Sequence, residues 1–96
     1  MSNKPKLSIV IPVLNEEENI PTLNNRIKET LGEKIDYEVI WVDDGSDDST
    51  PQVLGKIARE DERVKGITLM KRSGQSSALM AGIAKAKGEY IATIDG

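Results

Sequence analysis

The chain has 96 residues and a formal net charge of −3 at pH 7, which is enough for one domain near the lower end of the usual size range. It contains neither cysteine nor histidine, so disulfides, thiolate zinc sites and Ser-His or Cys-His catalytic pairs are excluded. The acidic balance argues against a nucleic-acid-binding protein, and a chain with a polar amino terminus and no apolar run of roughly 20 residues is expected in the cytoplasm.

The first half of the chain predicts two buried strands joined by a helix. Residues 7–13 form a nearly continuous apolar run with several β-branched side chains, which is typical of a strand covered on both faces. Asn15 is a favourable N-cap and Glu18 follows it as in a capping box, so we expect the helix to begin there and to end at Gly32. Residues 37–42 predict the second strand, with Trp41 in the core.

The second half continues the alternation of helices and strands. The predicted elements are a helix capped by Asp48 or Ser49, a strand over residues 64–70, a helix over residues 74–86 with Gly88 as its carboxyl-terminal cap, and a strand over residues 89–94. Ala78, Gly82 and Ala86 would let the last helix approach the sheet closely. This alternation predicts an α/β protein with an open, mainly parallel four-stranded sheet, right-handed crossovers and helices on both faces.

Polar side chains follow each predicted strand. They are Asn15, Glu16 and Glu17 after the first, Asp43 and Asp44 after the second, Lys71 and Arg72 after the third, and Asp95 after the fourth. The carboxyl ends of parallel strands meet at one edge of the sheet, where sheets of this kind bind ligands. An aspartate there can accept hydrogen bonds from a base or a ribose, and two neighbouring aspartates can hold a divalent metal.

The same residues also have purely structural interpretations. Residues 43–46 have the composition of an ordinary turn, and Asn15 with the acids after it fits a helix cap and a first turn that matches the helix dipole. Lys71 and Arg72 also fit a solvated pair, and Asp95 a simple strand exit. The chain has no G-x-G-x-x-G and no G-x-x-x-x-G-K-[ST] motif, which argues against the usual dinucleotide-binding fold and a P-loop.

Four stretches of the sequence resemble a known family. They are IVIPVLNEE at residues 9–17, VDDGSDDST at residues 42–50, GQ at residues 74–75 followed by Ala78, Ala81 and Gly82, and GEYI at residues 88–91 followed by Asp95 and Gly96. Together they resemble the amino-terminal half of a family 2 glycosyltransferase of the GT-A, Rossmann-like fold. They are most similar to the branch of dolichyl-phosphate mannose synthase and the bacterial polyprenyl-phosphate glycosyltransferases. Residues 1–96 are therefore expected to be the nucleotide-binding half of such a domain, truncated at its carboxyl terminus.

The resemblance implies roles for individual residues. Pro12, Val13, Leu14 and Asn15, with Glu16 or Glu17, would line the nucleotide pocket. Asp44 would contact the base with Asp43 beside it, and Lys71 or Arg72 would contact the nucleotide or its phosphates. Asp95 would begin a D-x-D metal motif at the nucleotide diphosphate. The implied metal is Mg2+ or Mn2+, and the second acid of its motif would follow Gly96. The family's catalytic base lies further along, so the resemblance implies no transferase activity for these residues alone.

We therefore expect the nucleotide-sugar-binding portion of a glycosyltransferase that moves a sugar from a nucleotide diphosphate donor to a polyprenyl phosphate, at the cytoplasmic face of a membrane. The alternative is a non-catalytic α/β binding or assembly module, because four strands leave a sheet edge that can pair with a second copy. A phosphoacceptor receiver domain shares this type of sheet, but it would place its acidic pair after the first strand, where this chain has Asn15.

Overall fold

The computed structural model describes residues 4–94. Its elements are β1 (Leu7–Val13), α1 (Ile20–Leu31), β2 (Tyr37–Asp43), α2 (Thr50–Glu60), β3 (Val64–Thr68), α3 (Gln75–Lys85) and β4 (Tyr90–Thr93). Among them, no helix has the length and apolar character that crossing a membrane requires. The strands pair in parallel in the order β3-β2-β1-β4. The predicted α/β fold with an open parallel sheet is confirmed, and β1 lies at the centre between β2 and β4.

Alternate residues of the two central strands point to opposite faces of the sheet, and helices cover both faces. On one face, Ile11 of β1 and Trp41 of β2 pack with the apolar sides of α1 and α2. On the other face, Val10 of β1 and Val42 of β2 pack with Ala78 of α3. All of these side chains are fully buried. Both central strands are thus covered on both faces, which accounts for their continuous apolar sequences.

The start of α1 differs from the prediction. The helix begins at Ile20 with Asn19 as its N-cap residue, so Asn15 and Glu18 do not form a capping box. Asn15 has a left-handed backbone, with a φ of 53°, and its side chain reaches across to a neighbouring loop instead of along its own helix. The other end is as predicted, because Gly32 closes the helix.

The outer strands are shorter than predicted, and Gly88 has another role. β3 ends at Thr68, after which the Leu69 N–H donates to the Asp43 carbonyl oxygen at 2.9 Å. The prediction that Gly88 caps α3 is wrong, because the helix ends at Lys85 with Ala86 as its cap. A Cβ at Gly88 would lie 2.6 Å from the backbone nitrogen of Ser8. Glycine is required there because two backbones approach closely, which a helix-end pattern does not reveal.

A buried polar cluster joins the start of β4 to the sheet, at the edge opposite the carboxyl ends of the strands. The carboxylate of Glu38, a residue 5% exposed, accepts hydrogen bonds from the Lys65 ammonium (2.8 Å), the Ser8 hydroxyl (2.5 Å) and the Lys87 N–H (2.7 Å). The Ser8 oxygen in turn accepts the Gly88 N–H at 2.8 Å. Burial raises the pKa of the Glu38 carboxyl, but the hydrogen bonds from these donors outweigh burial and hold the pKa below its ordinary value.

Replacing Glu38 by glutamine is expected to lower the free energy of unfolding by about 1–3 kcal/mol near pH 7, because the buried donors lose their anionic acceptor. A carboxylate with a lowered folded-state pKa stabilises the fold above its unfolded-state pKa, and that stabilisation is lost as the pH falls through the folded-state value. The difference in free energy of unfolding between wild type and Glu38→Gln should be largest above the ordinary pKa of 4.5. It should decrease as the pH falls below that value. Urea unfolding at a series of pH values measures the gap.

The matched control for this prediction is Glu89→Gln. Glu89 pairs with Lys6 at 3.0 Å on the surface, where the two side chains are 60% and 52% exposed. An exposed pair contributes roughly 0–1 kcal/mol, so this variant should unfold almost as the wild type does. A Glu38→Gln protein that matches the wild type at neutral pH, or a gap that is constant with pH, would contradict the role assigned to the cluster.

Candidate functional site

A cleft of about 400 Å³ opens at the carboxyl ends of β1 and β2. Its lining residues are Pro12, Val13, Leu14, Glu16, Asp44, Arg72, Gly74 and Gln75. The chain places β2 and β4 on opposite sides of the central β1. The cleft therefore includes the carboxyl end of β1, the strand at which the strand order reverses, and open α/β sheets bind ligands at the carboxyl ends of strands beside such a reversal.

Asp44 is held in the cleft by backbone groups of two other segments. It is 7% exposed, and its N–H donates to the Val13 carbonyl oxygen at 2.9 Å, which extends the pairing of β2 with β1. Its Oδ1 accepts the Ser73 N–H at 2.8 Å and its Oδ2 accepts the Gly74 N–H at 3.1 Å. The carboxylate is thus fixed between the strand ends and the start of α3.

Asp43, the preceding residue, has a different environment. It is fully buried on the face of the sheet that carries Trp41, because alternate residues of a strand share a face. Its Oδ1 accepts both the N–H (2.9 Å) and the hydroxyl (2.5 Å) of Ser46, which is the turn chemistry that the composition of residues 43–46 indicates. Its Oδ2 has no hydrogen-bond partner within residues 4–94. Asp43 therefore supports the turn, whereas Asp44 lines the cleft.

Asn15 joins the loop after β1 to the loop after β2. Its Oδ1 accepts the N–H groups of Asp47 (2.8 Å) and Asp48 (3.3 Å), and its own N–H donates to the Ser46 hydroxyl oxygen (2.8 Å). The next residue, Glu16, donates its N–H to the first residue of α2. These contacts fix the Glu16 side of the cleft relative to the turn that follows β2.

The structure places the predicted site residues in three groups. Those that line the cleft are Pro12, Val13, Leu14, Glu16, Asp44 and Arg72. Those that are not among its lining residues are Asn15, Glu17, Asp43 and Lys71. Asp95, the predicted metal ligand, lies outside the described residues. Of the two basic candidates, Arg72 is the one at the cleft.

Two lining residues had no predicted role in the site: Gly74 and Gln75. Both belong to the motif stretch at residues 74–75, which was the available signal. Gly74 has a φ of 97°, a conformation that favours glycine, and Gln75 is the first residue of α3. The sequence did not reveal that the start of this helix faces the ends of β1 and β2.

The cleft combines hydrogen-bond acceptors with a cation. Glu16 and Asp44 supply carboxylates, and Arg72 supplies the guanidinium group. Arg72 pairs with Asp47 at 2.9 Å, but the two side chains are 53% and 83% exposed, so the pair contributes little and leaves the guanidinium accessible. Asp48, which follows Asp47, does not line the cleft, and the Thr50 hydroxyl holds the pKa of its carboxyl below the ordinary value. The cleft therefore suits a ligand that has N–H or O–H donors and an anionic part.

The described residues do not by themselves make a metal site. Within residues 4–94, no group of three or more potential ligand side chains could hold a metal ion. Both carboxylate oxygens of Asp44 already accept backbone N–H groups. Asp95, for which the family resemblance implies a metal role, is not among the described residues.

The fold and the cleft define the class of protein. A parallel sheet with helices on both faces and a cleft at its carboxyl edge is the arrangement of the α/β proteins that bind nucleotides and similar ligands. Within that class, a family model described as Glycosyl transferase family 2 matches residues 8–96 of the sequence. The chain belongs to this family.

Curated relatives of the chain are transferases that act on a polyprenyl phosphate. The undecaprenyl-phosphate 4-deoxy-4-formamido-L-arabinose transferase of Proteus mirabilis (strain HI4320) is 46% identical over 92 residues, which are 94% of this chain and 28% of that protein. The enzyme of the same name from Salmonella paratyphi B is 39% identical over 94 residues, again 94% of this chain and 28% of that protein. The chain thus spans little more than a quarter of the length of these relatives.

Solved structures share the fold. S. aureus TarS 1-349 superposes with a TM-score of 0.82 at 30% identity, over 94% of this chain and 27% of that chain. Its complex with UDP-GlcNAc gives 0.82 at 31% identity, over 94% and 26%. The mannosyltransferase PcManGT from Pyrobaculum calidifontis, in complex with GDP-Man and Mn2+, gives 0.75 at 22% identity, over 98% and 28%, a likeness of fold alone. The expected GT-A type of fold is confirmed.

Proposed function

We propose that the chain is the nucleotide-sugar-binding portion of a glycosyltransferase that moves a sugar from a nucleotide diphosphate to a polyprenyl phosphate. The observation that carries the proposal is the cleft, in which the carboxylate of Asp44 and the cation of Arg72 occur together. A nucleotide offers base N–H donors and phosphate oxygens, which complement these two groups. The UDP-GlcNAc complex of TarS and the undecaprenyl-phosphate transferases support these classes of donor and acceptor.

Five of the lining residues have a part in the proposed complex. Asp44 accepts a hydrogen bond from the base, and Arg72 binds the phosphates. Pro12 and Val13 supply an apolar wall beside the base, and Glu16 accepts from the ribose hydroxyls. Residues that do not line the cleft act indirectly, through the loops that carry the lining residues. For Asn15 and Asp43 the basis is the set of hydrogen bonds that joins those loops; Glu17 and Lys71 are adjacent in sequence to Glu16 and Arg72.

We infer that a divalent metal, Mg2+ or Mn2+, binds at Asp95. β4 runs parallel to β1, so its carboxyl end faces the same edge of the sheet as the cleft, and Asp95 follows it in the sequence. A carboxylate there suits either ion, and the bound ion would neutralise the charge of the leaving diphosphate. The Mn2+ in the PcManGT complex supports a metal in this fold.

The acceptor and the chemical step require more of the polypeptide than this chain contains. Because the chain spans about 28% of its curated relatives, we expect it to bind a nucleotide without transferring a sugar. A polyprenyl phosphate is a membrane lipid, so the whole transferase would act at the cytoplasmic face of a membrane. Detection of sugar transfer by these residues alone would contradict the expected inactivity.

Calorimetric titration of the chain with UDP and with GDP, each with and without Mn2+, tests the nucleotide role. We expect saturable binding of one of the two nucleotides, and an affinity about tenfold weaker in Arg72→Ala, because a charge-assisted hydrogen bond is lost. The control is Arg59→Ala, since Arg59 is exposed in the last turn of α2, and it should bind as the wild type does. In Asp95→Asn, the effect of Mn2+ should disappear while the preference for one base remains. Failure of both nucleotides to bind would refute the proposal.

A second candidate function, self-assembly, is favoured by the exposed edge of the sheet. In β4, Tyr90 is 59% and Ile91 45% exposed, and its sequence YIAT has neither a charge nor a proline, the usual protections of an edge strand. Light scattering and thermal melting separate the two candidates. A monomer whose melting temperature rises with nucleotide and Mn2+ supports nucleotide binding, whereas a dimer that is indifferent to nucleotide supports assembly.

A further inference from the structure

The loop that connects β3 to α3, residues 69–74, is attached to the end of β2 at several points. The Leu69 N–H donates to the Asp43 carbonyl oxygen at 2.9 Å. A Cβ placed on Gly45 would lie 2.7 Å from the Arg72 nitrogen, so the two backbones are in close contact there. At the end of the loop, the two oxygens of Asp44 accept the consecutive N–H groups that precede α3.

We propose that Asp44 is a positioning residue that holds this loop, and with it Arg72 and the start of α3, against the cleft. Its partners lie 29 and 30 residues further along the chain, so the contact is not local turn chemistry. The inference rests on the proposed nucleotide site and adds a second task for the same carboxylate. Base recognition and loop order are coupled, because both depend on the oxygens of Asp44.

The hydrogen-bonding capacity of a carboxylate allows both tasks. An ionised carboxylate has about four lone-pair sites and no donor, and the two loop N–H groups use one site on each oxygen. The remaining sites can accept hydrogen bonds from a ligand in the cleft that Asp44 lines. An asparagine at this position has one oxygen and one NH2 group, so one of the two loop N–H groups would meet a donor. We call the two hydrogen bonds from Ser73 and Gly74 to Asp44 the clamp. Asn cannot replace Asp44 in it, although Asn has nearly the same shape.

Hydrogen exchange at the Ser73 and Gly74 amides, measured by NMR without nucleotide, tests the clamp. We expect exchange about 10- to 100-fold faster in Asp44→Asn and in Asp44→Ala, because each amide loses a charge-assisted partner. The control is Glu18→Gln, which removes an exposed carboxylate from the loop after β1 and should leave these amides unchanged. The amides of the buried Val10 and Ile40 report whether each variant is folded. Unchanged exchange at Ser73 and Gly74 in a folded Asp44→Asn protein would overturn the clamp.

Addition of UDP or GDP tests whether Asp44 couples nucleotide binding to the order of the loop or only supports the structure of the loop. In the wild type, the nucleotide that binds should further slow exchange at Ser73 and Gly74, whereas in Asp44→Asn it should not. Binding that leaves exchange at these amides unchanged in the wild type would overturn the coupling. If neither nucleotide binds but Asp44→Asn still exchanges faster, the clamp is supported and the proposed function alone fails.

Discussion

Gly82→Ala is expected to destabilise the chain by about 1–3 kcal/mol, the usual effect of overfilling a packed interior, although alanine is the better helix former. An added Cβ would lie 2.4 Å from Cγ1 of Val10 and 2.9 Å from Cγ2 of Val42. Both valines are fully buried in the central strands and are stiff at χ1, so α3 must move away from the sheet. For a domain of this size, each kcal/mol lowers the melting temperature by about 4–8 °C.

The matched control is Gly55→Ala in α2. The nearest atom to a Cβ there is the Arg59 Nη1 at 3.5 Å, an ordinary contact with the end of a flexible side chain. This variant should gain about 0.5–1 kcal/mol from helix propensity. Combining Gly82→Ala with Val10→Ala should restore part of the lost stability, because the second change makes room for the added methyl group. If thermal unfolding shows the same sign of change in Gly82→Ala and Gly55→Ala, the close approach of α3 to the sheet is refuted.

Gly45→Ala should have the largest effect on the cleft. Gly45 has a φ of +80°, where a side chain costs about 1–2 kcal/mol, and its Cβ would also lie 2.7 Å from the Arg72 nitrogen and 2.9 Å from the Lys71 carbonyl carbon. Those atoms belong to the backbone and cannot rotate away. We expect a total loss of stability of more than about 2 kcal/mol and a displaced Arg72, measured by urea unfolding and by the chemical shift of the Arg72 amide.

Gly74→Ala is the comparison that isolates the steric part. Gly74 also has a positive φ, but no atom lies within 4 Å of an added Cβ, so only backbone strain of about 1–3 kcal/mol acts. The Arg72 amide shift should therefore change less in this variant than in Gly45→Ala. An equal displacement of the Arg72 signal in both variants would mean that the contact between the two loops is not what positions Arg72.

The order of strands and helices was predictable because the apolar residues of this chain are spaced as buried strands and amphipathic helices require. Two continuous apolar runs separated by a helical stretch indicate strands covered on both faces, and the structure has them at β1 and β2. The ends of elements were less predictable, because they depend on contacts distant in the sequence. Asn15 has the composition of an N-cap, but the N–H groups its side chain accepts belong to residues 32 and 33 positions away. Gly88 likewise follows a helix, but glycine is needed there because the backbone of Ser8 leaves no space for a Cβ.

A cleft at the carboxyl edge of the sheet was predictable from the sequence, whereas the identity of the residues that line it was only partly predictable. Strand alternation separates Asp43, which shares a face with Trp41, from Asp44, and the sequence contains that information. The choice between Lys71 and Arg72 depends on the path of the loop after β3, which the sequence does not specify. The attachment of that loop to Asp44 involves backbone N–H groups, which every residue except proline has, so no side-chain pattern reveals it.

The position of β4 beside β1 has a consequence for how the chain reaches its fold. Contacts between them join residues separated by 80 or more positions, such as Ser8 with Gly88 and Lys6 with Glu89. Long-range pairing of this kind slows folding, because the entropy of closing the loop is lost before the contact forms. During synthesis, the outer edge of β1 remains unpaired until the last part of this chain has emerged. We therefore expect β4 to join the sheet late, and the Glu38 cluster that fixes its start to complete only at that step.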